Sequence, residues 1–350
     1  MKSCRTCFVT PQFPGADIDE TGQCHWCRAS KLDKGRKISY EINQGALQET
    51  ADHIKAQSQG AYDCVIGVSG GLDSTYVAYI AKKLMGLNPL LIHYDHGFFY
   101  DLPRENMINM ANALDCELRI LKSKKNWDKK YIRAILSAFE KSKMYWGICS
   151  FCHYILPAAV ARIGMDEKIN FILVSDNQLE AALHVPKMAK LKAMLKAVFG
   201  GGLLALPKIL YHLIRAQYFL LRLKLEFYVP PVTNLFNRGP RTSLETLNVT
   251  ELVPWETEKI GPILMDEVGW RLPEHPNLGM RFDCMIEEGF INHTYKQATG
   301  ATIHGIIANN LIYNGLAEKS ELEPVVEHYD DIIEDRTKKV STEVFSKNKK

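Results

Sequence analysis

The sequence lacks a long apolar run, a secretory leader and a marked excess of either charge. No uninterrupted apolar stretch reaches about 18 residues, which argues against a transmembrane helix. Met1–Cys4 runs straight into a cysteine motif without the apolar segment of a signal peptide, so we expect a cytoplasmic protein. The formal net charge of +3 is too small to indicate nucleic acid as a partner.

A glycine-rich turn at residues 69–74, Ser-Gly-Gly-Leu-Asp-Ser, follows a predicted strand and precedes a predicted helix. Glycines let a backbone approach phosphate oxygens, and the free N–H groups of a helix start point at them. The Walker loop is excluded, because the motif has neither its glycine spacing nor its lysine. The motif resembles the PP-loop of ATP pyrophosphatases, although an ordinary glycine-rich turn is the alternative.

The region from residue 62 to residue 174 alternates predicted strands with predicted helices. The strands are Tyr62–Val68, Pro89–Asp95, Cys116–Leu121 and Ile169–Val174, with helices between them. This order predicts an α/β fold with a doubly wound parallel sheet, whose ligands bind beyond the carboxyl ends of the strands. We therefore assign catalytic roles to Asp73, Ser74 and Asp176. The predicted ATP contacts are Ser69, Gly70, Gly71, Asp73, Ser74, Asp95 and His96, and Asp73 suits Mg²⁺ beside a phosphate.

Nine cysteines in a cytoplasmic chain indicate metal binding or chemistry more than disulfides. Two Cys-x-x-Cys pairs, Cys4 with Cys7 and Cys24 with Cys27, flank a turn-rich loop. Four thiolates in this spacing predict a closed, structural Zn²⁺ site in a ribbon. Two coincidental pairs or a redox dithiol are the alternatives.

A third pair, Cys149 and Cys152, lies near a predicted helix start, and Cys284 is the only later cysteine. Three thiolates with one open position predict a second metal or a [4Fe-4S] cluster, with sulfurs within about 4 Å of each other. The alternative is a local dithiol with Cys284 as a small buried side chain.

The segment 187–231 is apolar but rich in lysine and arginine, and Lys208, Arg215 and Arg222 recur every seven residues. This spacing places the three cations on one helix face. It predicts a basic amphipathic helical insertion that contacts an anionic membrane surface peripherally. Packing on the protein itself or on a partner subunit is the alternative.

The motifs together resemble the N-acetyl sugar amidotransferases of bacterial surface-polysaccharide pathways, within the PP-loop superfamily. The likeness covers residues 1–185 well and residues 260–310 loosely. Its further motifs are Asp95-His96, Asp176-Asn177, Gly269-Trp270 and Asp283-Cys284. Leu72 departs from the lysine usual in that group, and Asp176 stands where it often has glutamate.

The resemblance implies a synthetase subunit that adenylates an oxygen of an N-acetylated nucleotide sugar and lets ammonia displace AMP, in O-antigen or lipopolysaccharide synthesis. It also implies a glutaminase and a cyclase-like subunit that supply the ammonia. Two other functions remain open: a PP-loop sulfur transferase of the tRNA-thiolation type, and a membrane-bound zinc-ribbon scaffold.

These interpretations divide the chain into four predicted units. They are a zinc ribbon at 1–35, a PP-loop ATP-binding domain at 36–186, the helical insertion at 187–231, and a C-terminal helical region at 232–350 that completes the active site.

Overall fold

A computed structural model gives the fold of the chain. It describes residues 3–30, 44–175, 195, 198–199, 203–227, 244–253, 257–274, 283–313, 315 and 317–346. The predicted site residue Asp176 and part of the segment 187–231 lie outside them.

The described elements are short strands and longer helices. The strands are β1 Cys64–Gly67, β2 Pro89–Tyr94, β3 Leu118–Leu121, β4 Phe171–Val174 and β5 Glu245–Asn248. The first six helices are α1 His25–Ser30, α2 Gln44–Ala56, α3 Leu72–Tyr79, α4 Asp101–Ala113, α5 Trp127–Ala138 and α6 Ser150–Asp166. The later helices are α7 Leu206–Glu226, α8 Thr257–Val268, α9 Asn292–Thr299, α10 Ile303–Tyr313 and α11 Lys319–Phe345. The π-helical turn Ile80–Leu84 continues α3, and a second π-helical turn, Glu287–Ile291, directly precedes α9.

The strands form one parallel sheet in the order β3-β2-β1-β4-β5. Alternate side chains of β1 point to opposite faces. Ile66 packs into a core that includes Ile54 of α2 and Leu264 of α8, whereas Val65 packs against Val160 of α6. Helices therefore cover both faces, as apolar parallel strands require. The predicted α/β doubly wound class is confirmed.

Four of the five strands lie where the sequence pattern predicts them, shorter by a few residues at their ends. The prediction did not include β5, which pairs with β4 from Phe171–Glu245 to Val174–Asn248. Its sequence, Glu-Thr-Leu-Asn, is polar and partly exposed, because β5 lies at the edge of the sheet. An edge strand has no second apolar neighbour, so its sequence carries little strand signal.

The segment after β2 pairs with a distant part of the chain. Phe99 forms an antiparallel bridge with Cys284, and the N–H of Met285 donates to the carbonyl of Phe98 at 3.0 Å. The N–H of Tyr100 donates to the carbonyl of Asp283 at 3.2 Å. This contact brings Cys284 to the carboxyl end of the sheet, far in sequence from the strands themselves.

The π-helical turn Glu287–Ile291 packs closely on α11. A Cβ at Gly289 would lie 2.9 Å from the backbone nitrogen of Thr337, so the contact requires glycine. The Tyr100 hydroxyl donates to the buried carboxylate of Glu288, with Arg336 at 3.6 Å. Burial raises the pKa of Glu288 to about 7, against the lowering effects of Tyr100 and Arg336.

Candidate functional site

The loop at 69–74 connects the carboxyl end of β1 to α3. Gly70 has a φ of +83°, and a Cβ there would lie 2.0 Å from the carbonyl oxygen of Pro103. Glycine therefore allows the first turn of α4 to approach the loop. The Gly70 carbonyl accepts hydrogen bonds from Trp270 Nε1 at 3.0 Å and from Asn106 Nδ2 at 3.3 Å. Two side chains from opposite halves of the chain thus hold the loop in place.

Within the loop, hydroxyl groups and backbone donors lie together. The N–H of Ser69 donates to Ser74 Oγ at 3.1 Å, and the N–H of Gly71 donates to Ser69 Oγ at 3.4 Å. Asp73 lies in the first turn of α3. Ser69, Asp73 and Ser74 are half-buried, so a ligand can still reach them. Such a helix start attracts anions, because its N–H groups carry partial positive charge.

The position of the loop within the sheet is itself informative. In the order β3-β2-β1-β4-β5, the chain adds β2 and β3 on one side of β1 and then β4 and β5 on the other side, so the topological switch point lies between β1 and β4. A crevice opens at such a switch point, beyond the carboxyl ends of the strands. The loop follows β1, and Ser175 follows β4 on the other side of this crevice. Asp176, the next residue, lies outside the described residues, so its role remains a prediction.

Asp95, predicted to contact ATP, is buried in an ion-pair network. Its Oδ2 lies 3.0 Å from Arg104 and 3.1 Å from Lys122, and its Oδ1 accepts the N–H of Gly97 at 2.8 Å. Burial alone would raise the pKa of Asp95, but these donors and cations together lower it to about 2. Asp95 is therefore a carboxylate at neutral pH and orients two cations.

Arg104 and Lys122 are basic residues that the sequence interpretation missed. Arg104 follows Pro103, whose carbonyl borders Gly70, and Lys122 follows the last residue of β3. About a third of the Arg104 side chain and most of the Lys122 side chain is exposed. The position of Lys122 directly after a strand was the signal available in the sequence.

His96, the other predicted ATP contact on this loop, lies in an aromatic pocket. Its ring stacks on Phe99 at 4.3 Å between centroids and meets the edge of Phe151 at 5.7 Å. Burial, with the nearby His93, lowers the pKa of His96 to about 3. Nδ1 accepts the N–H of Phe98 at 3.2 Å, so the proton of the neutral ring lies on Nε2, 3.7 Å from Cys284 Sγ. Its ATP contact remains a prediction.

Cys149, Cys152 and Cys284 belong to one packed cluster, with Cys149 at the N-cap of α6. Burial raises the pKa of Cys152 and of Cys284, and the neighbouring Cys149 adds to both shifts. Their sulfurs do not all lie within 4.8 Å of one another, so the expected separation of about 4 Å is not met. Cys284 Sγ lies 3.7 Å from His96 Nε2. A shared metal therefore remains a prediction.

The four N-terminal cysteines form a closed cluster. All four are buried, with ligand atoms within 4.8 Å of one another, and no other group of three or more potential ligands in the described residues meets this limit. The Cys4–Cys27 and Cys7–Cys24 sulfur distances are 3.9 and 3.7 Å, against about 3.8 Å for thiolates on a tetrahedral Zn²⁺. The cluster therefore has the geometry of a metal site.

Hydrogen bonds between sulfurs connect the four cysteines of this cluster. Hydrogen bonds from Cys27 and Cys7 lower the pKa of Cys24, whereas the pKa of Cys27 is raised by its bonds to Cys24 and Cys7 and by burial. The N–H of Cys24 also donates to Cys4 Sγ at 3.3 Å. A metal ion would displace the thiol protons of these cysteines and leave four thiolates.

A tyrosine from the far end of the chain completes the surroundings of the cluster. The hydroxyl of Tyr313, at the end of α10, lies 3.5 Å from Cys7 Sγ and 3.7 Å from Cys24 Sγ. The N–H of Phe8 donates to Asn309 Oδ1 of the same helix at 2.7 Å. Sequence analysis missed both contacts, because no local pattern links residues 300 positions apart.

Comparison with known proteins agrees with the architecture. A family model for NAD synthase, a PP-loop protein, matches residues 47–139, well under half of the chain. The chain has a PP-loop type of fold. The matched segment contains the loop at 69–74, β2, β3 and the cations Arg104 and Lys122. A comparison with curated proteins gives no significant match.

Three similar solved structures are distant in sequence. The U34-tRNA thiolase NcsA from Methanococcus maripaludis with its [4Fe-4S] cluster is 14% identical, and the match covers 95% of this chain and 88% of that chain with a TM-score of 0.34. An NH3-dependent NAD synthetase from Campylobacter jejuni in complex with nitrate is 17% identical, with 55% of this chain and 99% of that chain covered and a TM-score of 0.30. An NMN synthetase from Francisella tularensis is 12% identical, with 67% of this chain and 90% of that chain covered and a TM-score of 0.28. The fold assignment depends on the sheet order and the family model.

Gly70→Ala should distort the loop. The left-handed backbone alone costs an alanine about 1 kcal/mol or more, and the new methyl group collides with Pro103. We expect a lower melting temperature and the loss of ATP binding in calorimetry. Gly261→Ala in α8 is the matched control, because a Cβ there has nothing within 4 Å. A Gly70→Ala protein that binds ATP as the unchanged protein does would contradict this account of the loop.

Tyr313→Phe should weaken metal binding at the N-terminal cluster while preserving the fold. Hydrogen bonds to ligating sulfurs typically change metal affinity by about 10–100-fold, and this variant removes only the hydroxyl group. Competition with a zinc chelator measures the change. Tyr218→Phe, which removes an exposed hydroxyl elsewhere, should have no effect. Equal zinc retention in both variants would show that the Tyr313 hydroxyl does not support the site.

Proposed function

We propose that the chain is the ATP-dependent synthetase subunit of an amidotransferase. It would adenylate an oxygen of an N-acetylated nucleotide sugar and let ammonia displace AMP. The observation that carries this proposal is the loop at 69–74, held at the switch point of a parallel sheet, with two cations at the same edge of that sheet. The sugar substrate and the polysaccharide pathway are supported by the sequence resemblance alone.

The proposed reaction has two steps. First, the acetamido oxygen attacks the α-phosphorus of ATP, the bond to the bridging oxygen breaks, and pyrophosphate leaves. Second, ammonia adds to the activated carbon and AMP leaves with the former acetamido oxygen. The product is an acetamidino group, and the released proton passes to solvent. Adenylation turns a poor leaving oxygen into a good one, which is why ATP is required.

The described residues supply electrostatic stabilisation in the first step. The N–H groups at the start of α3, together with Ser69 and Ser74, would bind the departing pyrophosphate. Arg104 and Lys122, oriented by Asp95, add positive charge at the same edge of the sheet. Preorganised donors of this kind reduce the barrier, because they need not reorient during the reaction.

Magnesium fits the loop through one carboxylate. Asp73 is half-buried in the first turn of α3, where its oxygens could hold the ion beside a phosphate. When bound, magnesium would neutralise charge on the pyrophosphate. Asp176 would be placed near the same crevice by its sequence position after β4.

The N-terminal cluster would hold a structural Zn²⁺. Its four buried cysteines leave no open coordination position, so it supplies no reactive ligand. Its contacts with α10 suggest a different role, in which the ribbon fixes the C-terminal helices against the rest of the chain. The proposed partners are a glutaminase and a cyclase-like subunit, which would deliver ammonia.

The proposal predicts AMP and pyrophosphate as products. The assay contains ATP, magnesium, ammonium chloride and a panel of nucleotide N-acetyl sugars, and chromatography separates AMP from ADP. Asp73→Asn should lower turnover by about 100-fold or more, since it removes the charge that holds magnesium beside the phosphates. Circular dichroism should show an unchanged fold.

Asp52→Asn is the matched control, because Asp52 is exposed on α2 and accepts a hydrogen bond from its neighbour Gln48 in the same helix. It should leave turnover unchanged. ADP and phosphate as the main products would refute the pyrophosphatase assignment. AMP formation without any dependence on ammonia would refute the amidotransferase step alone.

A second candidate is a sulfur transferase that acts on tRNA. The observation that favours it is the common packing of Cys149, Cys152 and Cys284 beside His96. Three thiolates would leave one position of an iron–sulfur cluster open for sulfur.

Anaerobically purified protein separates the two candidates. The sulfur-transferase function predicts iron and acid-labile sulfide, with both lost in Cys284→Ser and retained in the control Cys116→Ser. The amidotransferase function predicts turnover in iron-free protein. Protein that lacks iron after cluster reconstitution under reducing conditions would exclude the second candidate.

A further inference from the structure

Helix α7 carries two apolar faces on opposite sides. The inner face packs against α5 and α6 through the buried side chains Ile209, Ala216, Phe219, Leu220 and Leu223. The outer face consists of six apolar or aromatic side chains that are 45–61% exposed: Leu210, Tyr211, Ile214, Tyr218, Leu221 and Leu225. We call these six residues the outer stripe.

The outer stripe is continuous along the helix. At 100° per residue its six members fall within an arc of about 100°, opposite the inner face. Leu204, just before the helix, is 99% exposed. Single exposed apolar residues are ordinary, but a continuous stripe over four turns marks a contact surface.

Basic side chains border the outer stripe on both edges. Lys208, Arg215 and Arg222 lie along one edge by their seven-residue spacing, and Lys224 lies on the other edge. Arg215 lies over the ring of Tyr211 at 5.5 Å. An apolar stripe between two basic edges is the pattern of a helix that lies in the plane of a membrane surface.

An aromatic group extends the basic edge onto α5. Trp127 is half-buried, with Lys130 at 4.1 Å and Arg222 at 5.2 Å from its ring centroid. Tyr218 meets the Trp127 ring at 6.4 Å between centroids. Tryptophan and tyrosine favour the headgroup level of a bilayer, and lysine and arginine beside them can reach the phosphates.

Charge argues against a second copy of the chain as the occupant. Two outer stripes in contact would bring Arg215, Arg222 and Lys224 of both copies together. The acidic side chains bonded near the ends of the helix are already engaged. Glu140 pairs with Lys208 at 2.9 Å, and Glu226 accepts the N–H of Lys124 at 2.6 Å.

We propose that α7 binds the surface of an anionic phospholipid membrane through the outer stripe and its basic edges. The contact is peripheral. Among the described residues, no helix combines the length and the hydropathy that crossing a bilayer requires. This proposal is independent of the chemistry at the loop 69–74, because α7 supplies none of the residues assigned there.

Co-sedimentation of the full chain with vesicles tests the proposal. We expect binding to vesicles that contain phosphatidylglycerol and little binding to phosphatidylcholine alone. Arg215→Gln with Arg222→Gln should reduce the partition coefficient roughly 30-fold, because each basic side chain near an anionic surface contributes about fivefold. Ile214→Glu with Leu221→Glu should abolish binding.

Matched controls change the same chemistry elsewhere. Lys83→Gln with Arg162→Gln removes two exposed cations, and Ile108→Glu with Met265→Glu adds two acids at exposed apolar positions of α4 and α8. Both should bind like the unchanged protein. The substituted side chains of the outer stripe are exposed, so thermal unfolding should show folded variants.

Three outcomes would overturn the proposal. They are negligible binding to both vesicle types, equal binding to both, and equal loss of binding in the control pairs. Light scattering measures whether the outer stripe instead binds a second copy of the chain. Self-association that disappears in Ile214→Glu with Leu221→Glu, without lipid binding, would assign the outer stripe to an interface between copies.

Discussion

The carbonyl group of Gly70 holds distant segments of the chain together at the carboxyl end of the sheet. The left-handed backbone of Gly70 lets α4 approach the loop at 69–74. The Gly70 carbonyl oxygen accepts hydrogen bonds from Asn106 of α4 and from Trp270, which follows α8. Asn106 also exchanges hydrogen bonds with the backbone of Arg271. Hydrogen bonds therefore hold together the loop at 69–74, the helix after β2 and the segment after α8.

The same principle applies to the cysteines, because both cysteine clusters depend on contacts with the C-terminal part of the chain. The N-terminal cluster meets Tyr313 of α10, and Cys284 reaches the carboxyl end of the sheet through its bridge with Phe99. The C-terminal helices thus connect the ribbon to the nucleotide-binding sheet.

Local patterns predicted the parts of the structure that local physics determines. The apolar runs gave β1 to β4, and the motif at 69–74 predicted a strand-to-helix turn. The polar edge strand β5 escaped detection, since its position depends on pairing with β4 across more than 70 residues. Tyr313 was missed as a site residue for the same reason, because its contact with the cysteines exists only once distant segments meet. Trp270 was named only as part of the motif Gly269-Trp270, and its hydrogen bond to Gly70 likewise depends on the fold.

Asp95 shows that a residue can have partners that its sequence position does not reveal. Its place directly after a parallel strand predicts a contact with ATP, and that contact remains a prediction. In the structure Arg104, Lys122 and the N–H of Gly97 occupy its oxygens. A buried carboxylate with these partners stabilises two cations whose charge would otherwise repel. Asp95 therefore holds Arg104 and Lys122 in place at this edge of the sheet, a role that appears only when the segments after β2 and β3 meet.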